Sequence, residues 1–159
     1  MTLTENERLH SPTFDRAMEL RDSGQPDEAI ELLEHLLQQL RPDDKRLSAH
    51  SHRQVGHIRK MQGRLVDSER HFREAVMIAP KMELASLGLF HALRNLDRHV
   101  EAMEEVVRFL SLRESLGYRE LLSGHAFGAD VPDQERRLSD VARSLLAKHR
   151  EAQQPGANR

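Results

Sequence analysis

Three positions in the middle of the chain return at a fixed interval. Gly63, Ser68 and Phe72 are followed 34 residues later by Asp97, Ala102 and Val106. They are preceded, 39 residues earlier, by Gly24, Ala29 and Leu33, and five extra residues fit in the connection "RPDDKRLS" that begins at Arg41. A small residue with a large one four positions on marks one face of a helix. The small side chain lets a second helix cross closely, and the large one fills the space beside it. A unit of this length cannot bury its apolar face alone, but stacked copies can.

Composition agrees with helices. The 159 residues include 23 Leu against three Ile, three Thr and one Tyr, so strand-favouring residues are scarce. Breaks at "SGQPD", "RPDDKR", "MQGR", "APKM", "NLDRH" and "LSGHAFGADVPD" separate segments with helical apolar spacing. Residues 26–40 carry a stripe of Ala29, Ile30, Leu33, Leu36, Leu37 and Leu40. The segment 82–96 is more apolar still, with Leu84, Leu87, Leu89, Phe90 and Leu93, and should be covered on more than one side. A last helix should start with Asp130 or Val131 ahead of Pro132, since proline suits a first turn. "YRELL" at 118–122 predicts a short helical turn leading towards it. Residues 1–10 and 153–159 read as flexible ends.

The pattern of small and large positions resembles the tetratricopeptide repeat family, two antiparallel helices per copy. The copy at 49–82 supplies Val55-Gly56 in its first helix and Ser68, Phe72, Ala75 and Pro80 in its second. That at 10–43 supplies Ala17, Leu20, Gly24, Ala29, Leu33 and Pro42, and that at 83–116 supplies Leu89, Leu93, Ala102 and Val106. The third departs from the pattern: Phe90 stands where glycine or alanine is usual, and the closing proline is missing. His52 and Arg59 replace the family's tryptophan and tyrosine in the second. The resemblance implies an all-α, right-handed superhelical array of about three antiparallel helix pairs over 11–124. A loop and C-terminal capping helix would follow at 125–152.

In that family the first helix of each pair lines a concave binding surface. The corresponding positions are Phe14, Met18 and Arg21; His50, Arg53, His57 and Lys60; and Leu84, Leu87, His91 and Arg94. None is acidic, while Glu28, Glu31, Glu34, Glu101, Glu104 and Glu105 on the second helices should face outward. The resemblance therefore implies a partner-binding groove of Arg21, His50, Arg53, His57, Lys60, Leu87, His91 and Arg94. An acidic or carboxylate-bearing protein segment would fit it, with Arg53 and Arg94 as bidentate partners. The family's clamp of paired Lys and Asn is not reproduced. Protonation of His50, His57 and His91 near pH 6 would add charge to the same face.

Other function classes find little support. With no cysteine there is no disulfide, zinc-thiolate site or thiol nucleophile. His50 and His57 lie about 10 Å apart along a helix, too far to share an ion without help from another helix; no metal or cofactor is expected. No glycine-rich phosphate loop or nucleophile elbow is present, and the expectation is a non-enzyme. A formal net charge of −2 and few aromatic residues argue against nucleic acid. No apolar stretch approaches the ~20 residues that cross a bilayer, and the polar N-terminus lacks the apolar centre of a signal peptide. A cytoplasmic interaction module, adaptor or small chaperone, is the expectation. The alternative is a self-associating unit, possible homodimer or neutralising binder, using apolar surface around Leu87 and Phe90.

Overall fold

The computed structural model describes residues 2–124 and 131–152. Among the described residues run eight α-helices and no strand. They are α1 (Glu5–Asp22), α2 (Pro26–Gln39), α3 (Lys45–Met61), α4 (Leu65–Ile78), α5 (Glu83–Asn95), α6 (His99–Leu112), α7 (Leu116–Gly124) and α8 (Asp133–Ala152). The flexible tail expected at 153–159 and the loop at 125–130, Asp130 included, lie outside the described residues.

The repeat is a repeat of backbone geometry. At the ends of α1, α3 and α5 the chain turns through positive φ at Gly24 (+82°), Gly63 (+75°) and Asp97 (+59°). In each turn the next N–H, from Gln25, Arg64 and Arg98, donates to the carbonyl five residues back, Leu20, Arg59 and Leu93, each at 2.9 Å. This pairing satisfies carbonyls that the helix end would leave bare. Three hairpins follow: α1 with α2, α3 with α4, α5 with α6.

Each hairpin packs on the next through α2–α3 and α4–α5. In addition α1 touches α3 and α3 touches α5, whereas α2, α4 and α6 make no comparable contact with one another. The first-helix row is thus the tighter one. The small-to-large pattern works as its spacing implied. The Ser68 hydroxyl donates to the Gly56 carbonyl at 2.8 Å, and Phe72 lies against Gly56, where an added Cβ would come within 3.2 Å of its ring. The other edge of Phe72 reaches α5, where a Cβ at Gly88 would overlap the ring. One aromatic side chain therefore spaces three helices.

The start of the chain departs from expectation. Residues 5–10 are not a flexible end but the first turns of α1. The Thr4 hydroxyl accepts the Glu7 N–H at 3.0 Å, and the Glu7 carboxylate accepts the Thr4 N–H at 2.9 Å. This reciprocal capping box contributes about 1 kcal/mol. Glu7 also accepts the Leu47 N–H at 2.8 Å, and buried Asp44 accepts the Thr4 hydroxyl and the Asn6 amide. The head of α1 is bolted to the head of α3.

The third hairpin is where the pattern was weakest, and the chain covers it itself. Phe90, in the place of Gly56, is buried and meets Tyr118 of α7 edge-on, centroids 6.0 Å apart; Phe109 meets the same ring at 5.7 Å. The Tyr118 hydroxyl lies 2.8 Å from the Ser86 hydroxyl, which donates to Glu105. Glu105 is buried and paired with Arg108 at 2.6 Å, so it does not face outward as expected of the acidic second-helix positions. The short turn expected at 118–122 is the nine-residue α7.

Helix α8 begins at Asp133, later than expected, with the Pro132 carbonyl accepting the Arg136 N–H at 3.1 Å. Its first turn meets the end of α5 through Glu135 and Arg94, and His149 in its last turn lies 2.8 Å from the Leu110 carbonyl of α6. So α8 runs alongside α6 in the same direction. Leu138, Leu145, Leu146 and Ala142 close the core there.

Candidate binding groove on α1 and α3

On α3, His50, Arg53, His57 and Lys60 follow at intervals of three and four and share one face. On α1, Phe14, Met18 and Arg21 share the face beside it. The contact between the two helices brings these faces together. His50 packs edge-on against Phe14, centroids 6.5 Å apart. Arg21 donates to the Gln54 side-chain oxygen at 2.9 Å and pairs with Asp22 at 2.7 Å. Gln54 was not singled out in the sequence, because a buried amide on an otherwise apolar stripe carries no signature.

Arg53 sits at the centre. Its Nε is buried and has no hydrogen-bond partner. Desolvation, then the Arg21 charge, pulls its pKa below the usual arginine value. A half-buried guanidinium pulls on an anion more strongly than a fully solvated one, since water screens it less and no carboxylate among the described residues pairs with it. Among the described residues no ion pair is formed by Arg53, His57 or Lys60.

The surroundings of His50 and His57 oppose the protonation expected of them near pH 6. Burial first, then Arg53 and Arg46, lowers the pKa of His50 despite an opposing pull from Glu7. Burial first, then Lys60, Arg21 and Arg53, lowers that of His57. Both therefore take up a proton less readily than a free imidazole, and an anion seated among the cations would raise both values again.

The third hairpin's share of the expected groove is occupied from within. Leu87 packs under α7, where a Cβ at Gly117 would come within 2.7 Å of its Cδ1. Arg94 pairs with Glu135 of α8 at 2.6 Å, and Glu135 is itself buried. His91 is exposed and stands edge-on to Phe90, centroids 5.2 Å apart. So Arg21, His50, Arg53, His57 and Lys60 come together, while Leu87 and Arg94 are drawn into contacts with α7 and α8. Glu135 gave no sign of this role in the sequence, since it begins a helix whose docking site is set only by tertiary packing.

Phe90 is buried and Leu87 partly buried, while Leu84 beside them stays exposed. His52 points away from the groove, its Nδ1 3.1 Å from the Nδ1 of His71. Among the described residues no group of three or more His, Cys, Asp or Glu side chains could hold a metal ion, and no helix is long and apolar enough to cross a membrane. No protein-family model matches the chain, and no curated protein matches it.

Proposed function

We propose that the chain is a tetratricopeptide-type helical array that binds a partner protein and performs no catalysis. Its binding surface is the basic groove of α1 and α3, and the partner presents an acidic, extended segment. The observation that carries this reading is Arg53, whose Nε is buried without a partner among like charges. A carboxylate placed there receives two parallel N–H donors from the guanidinium. Lys60 extends the positive surface along α3, His57 stands between Arg53 and Lys60 as a group that an anion would help to protonate, and Phe14 offers apolar contact.

The test compares wild type with Arg53→Glu/Lys60→Glu as bait in a pull-down from the native host. Arg94 stays unchanged, because glutamate there would face Glu135. A partner retained by wild type and lost by the variant, with binding that weakens as salt rises, supports the groove. The same partner on both baits rejects it. Affinity for that partner should also rise from pH 7.5 to pH 6, because the complex raises the pKa values of His50 and His57 and takes up protons.

A further inference from the structure

Far from the groove's Lys60 end, at the start of α3, the structure contains an apolar pocket of about 510 Å³. Ile78, Pro80, Met82 and Leu112 form its wall, and its polar surface is almost nil. Lys45 and Lys81 stand at its margin, with Arg46 on the same turn as Lys45. No acidic side chain lines it.

The pocket has a structural origin. Helix α3 is 17 residues long and its counterpart α5 is 13. The ends of both are fixed by equivalent turns, so the first turn of α3 overhangs by about 6 Å at 1.5 Å per residue. The turn from α4 to α5 passes under that overhang. It is braced by Arg108 of α6, which donates to the Pro80 carbonyl at 3.1 Å, and by Arg113 just after that helix, which donates to the Lys81 carbonyl at 3.4 Å. The Met82 N–H donates to the Ala79 carbonyl at 2.9 Å within the turn. The wall is thus formed before any ligand arrives, which spares a ligand the cost of ordering it. The volume lies within the ordinary range of small-molecule sites, roughly 300–1,000 Å³.

We infer that this pocket binds a small amphipathic anion, an unbranched aliphatic monocarboxylate, with the chain against Ile78, Pro80, Met82 and Leu112 and the carboxylate between Lys45 and Lys81. Charge complementarity selects this occupant: an apolar wall calls for an aliphatic body, and a margin that is basic with no acid calls for a single anionic head. A neutral alcohol would satisfy the wall alone, and an aliphatic ammonium would be repelled at the margin.

The experiment is calorimetric titration of the full chain with octanoate, nonanoate and decanoate, beside decanol and decyltrimethylammonium. Methyl shifts of Ile78, Ala79 and Met82 locate the ligand. The charge variant is Lys45→Glu/Lys81→Glu; both side chains are exposed, and glutamate in the first turn of α3 suits the helix dipole. Leu112→Ser is the wall variant. Decanoate should shift those methyls, and affinity should climb by up to about fourfold per methylene. The charge variant should lose about tenfold in decanoate affinity and none for decanol; Leu112→Ser should weaken both. The inference is overturned by no saturable decanoate binding below about 1 mM. Equal affinity for decanoate and decyltrimethylammonium, or unchanged decanoate affinity in the charge variant, also overturns it.

Discussion

Helices α3 and α5 occupy equivalent places in successive hairpins, yet their inner faces are put to opposite uses. Arg53 in α3 corresponds to Leu87 in α5, and Lys60 to Arg94, each 34 residues apart. On α3 the arginine is half-buried with an unpartnered Nε, and Lys60 has no ion pair among the described residues. On α5 the leucine lies beneath Gly117 of α7, and the arginine is held by Glu135 of α8. An array has two ends, and an uncovered last hairpin would expose its apolar face. Here α7 and α8 cover it. The face that α3 leaves open is partly covered on α5.

Removing the cover should have the largest effect. Tyr118→Ala deletes a fully buried ring between Phe90 and Phe109 and should cost about 3–5 kcal/mol. Urea unfolding would measure it; a loss below about 1 kcal/mol would mean that α7 does not hold the α5 face shut.

Exchanging the equivalent residues sharpens the contrast. Leu87→Arg forces a cation under Gly117 and should destabilise by about 2–3 kcal/mol, whereas Arg53→Leu removes an unpaired, desolvated charge and should stabilise by about 0.5–1 kcal/mol. The same unfolding measurement reads both. If Arg53→Leu destabilises by more than about 1 kcal/mol, the guanidinium has a structural partner and the comparison fails.

Acid should act where His71 of α4 meets His52 of α3. The His71 pKa is lowered to about 4, by burial first, then by His52, Arg70 and Arg59, against a weaker opposite pull from Asp67. The unfolded chain then binds the proton more readily, so this contribution is full above about pH 6.5 and disappears as pH falls towards 4. Between pH 7 and pH 5 the loss from this one group is about 2 kcal/mol. Denaturant midpoints at the two values test it, and His71→Gln should flatten the profile.

The smallest effect belongs to the turns. Asp97 holds a φ of +59° where the two earlier copies have glycine. Asp97→Gly should raise stability by about 0.5 kcal/mol by relieving the strain of a side chain in the left-handed region. Thermal unfolding would show it, and a lowered midpoint would mean that the Asp97 side chain repays its strain.

Much of the helical array could be read from the chain. Gly24, Gly63 and Asp97 marked its turns, and Ser68 with Phe72 marked a close crossing, because such constraints are local: a positive φ, a missing side chain, a spacing of four. The start of α1 was equally local, but the Thr4–Glu7 capping box lay inside a polar stretch whose composition suggested a loose end. The basic character of the α1 and α3 face was visible as residue types on one helical face. Their desolvation was not, since it depends on how α1, which carries Arg21, packs beside α3.

Periodicity thus dictated helices, their pairing and the turns between them, all of which follow from interactions within some 35 residues. Tertiary packing decided which faces stay open. Whether Arg94 meets a partner or Glu135, 41 residues away in sequence, depends on a helix that lies parallel to α6. Nothing in the periodicity of either segment encodes that contact. It follows from the need to bury the apolar stripes of α6 and α8 against each other, and the ion pair comes with it.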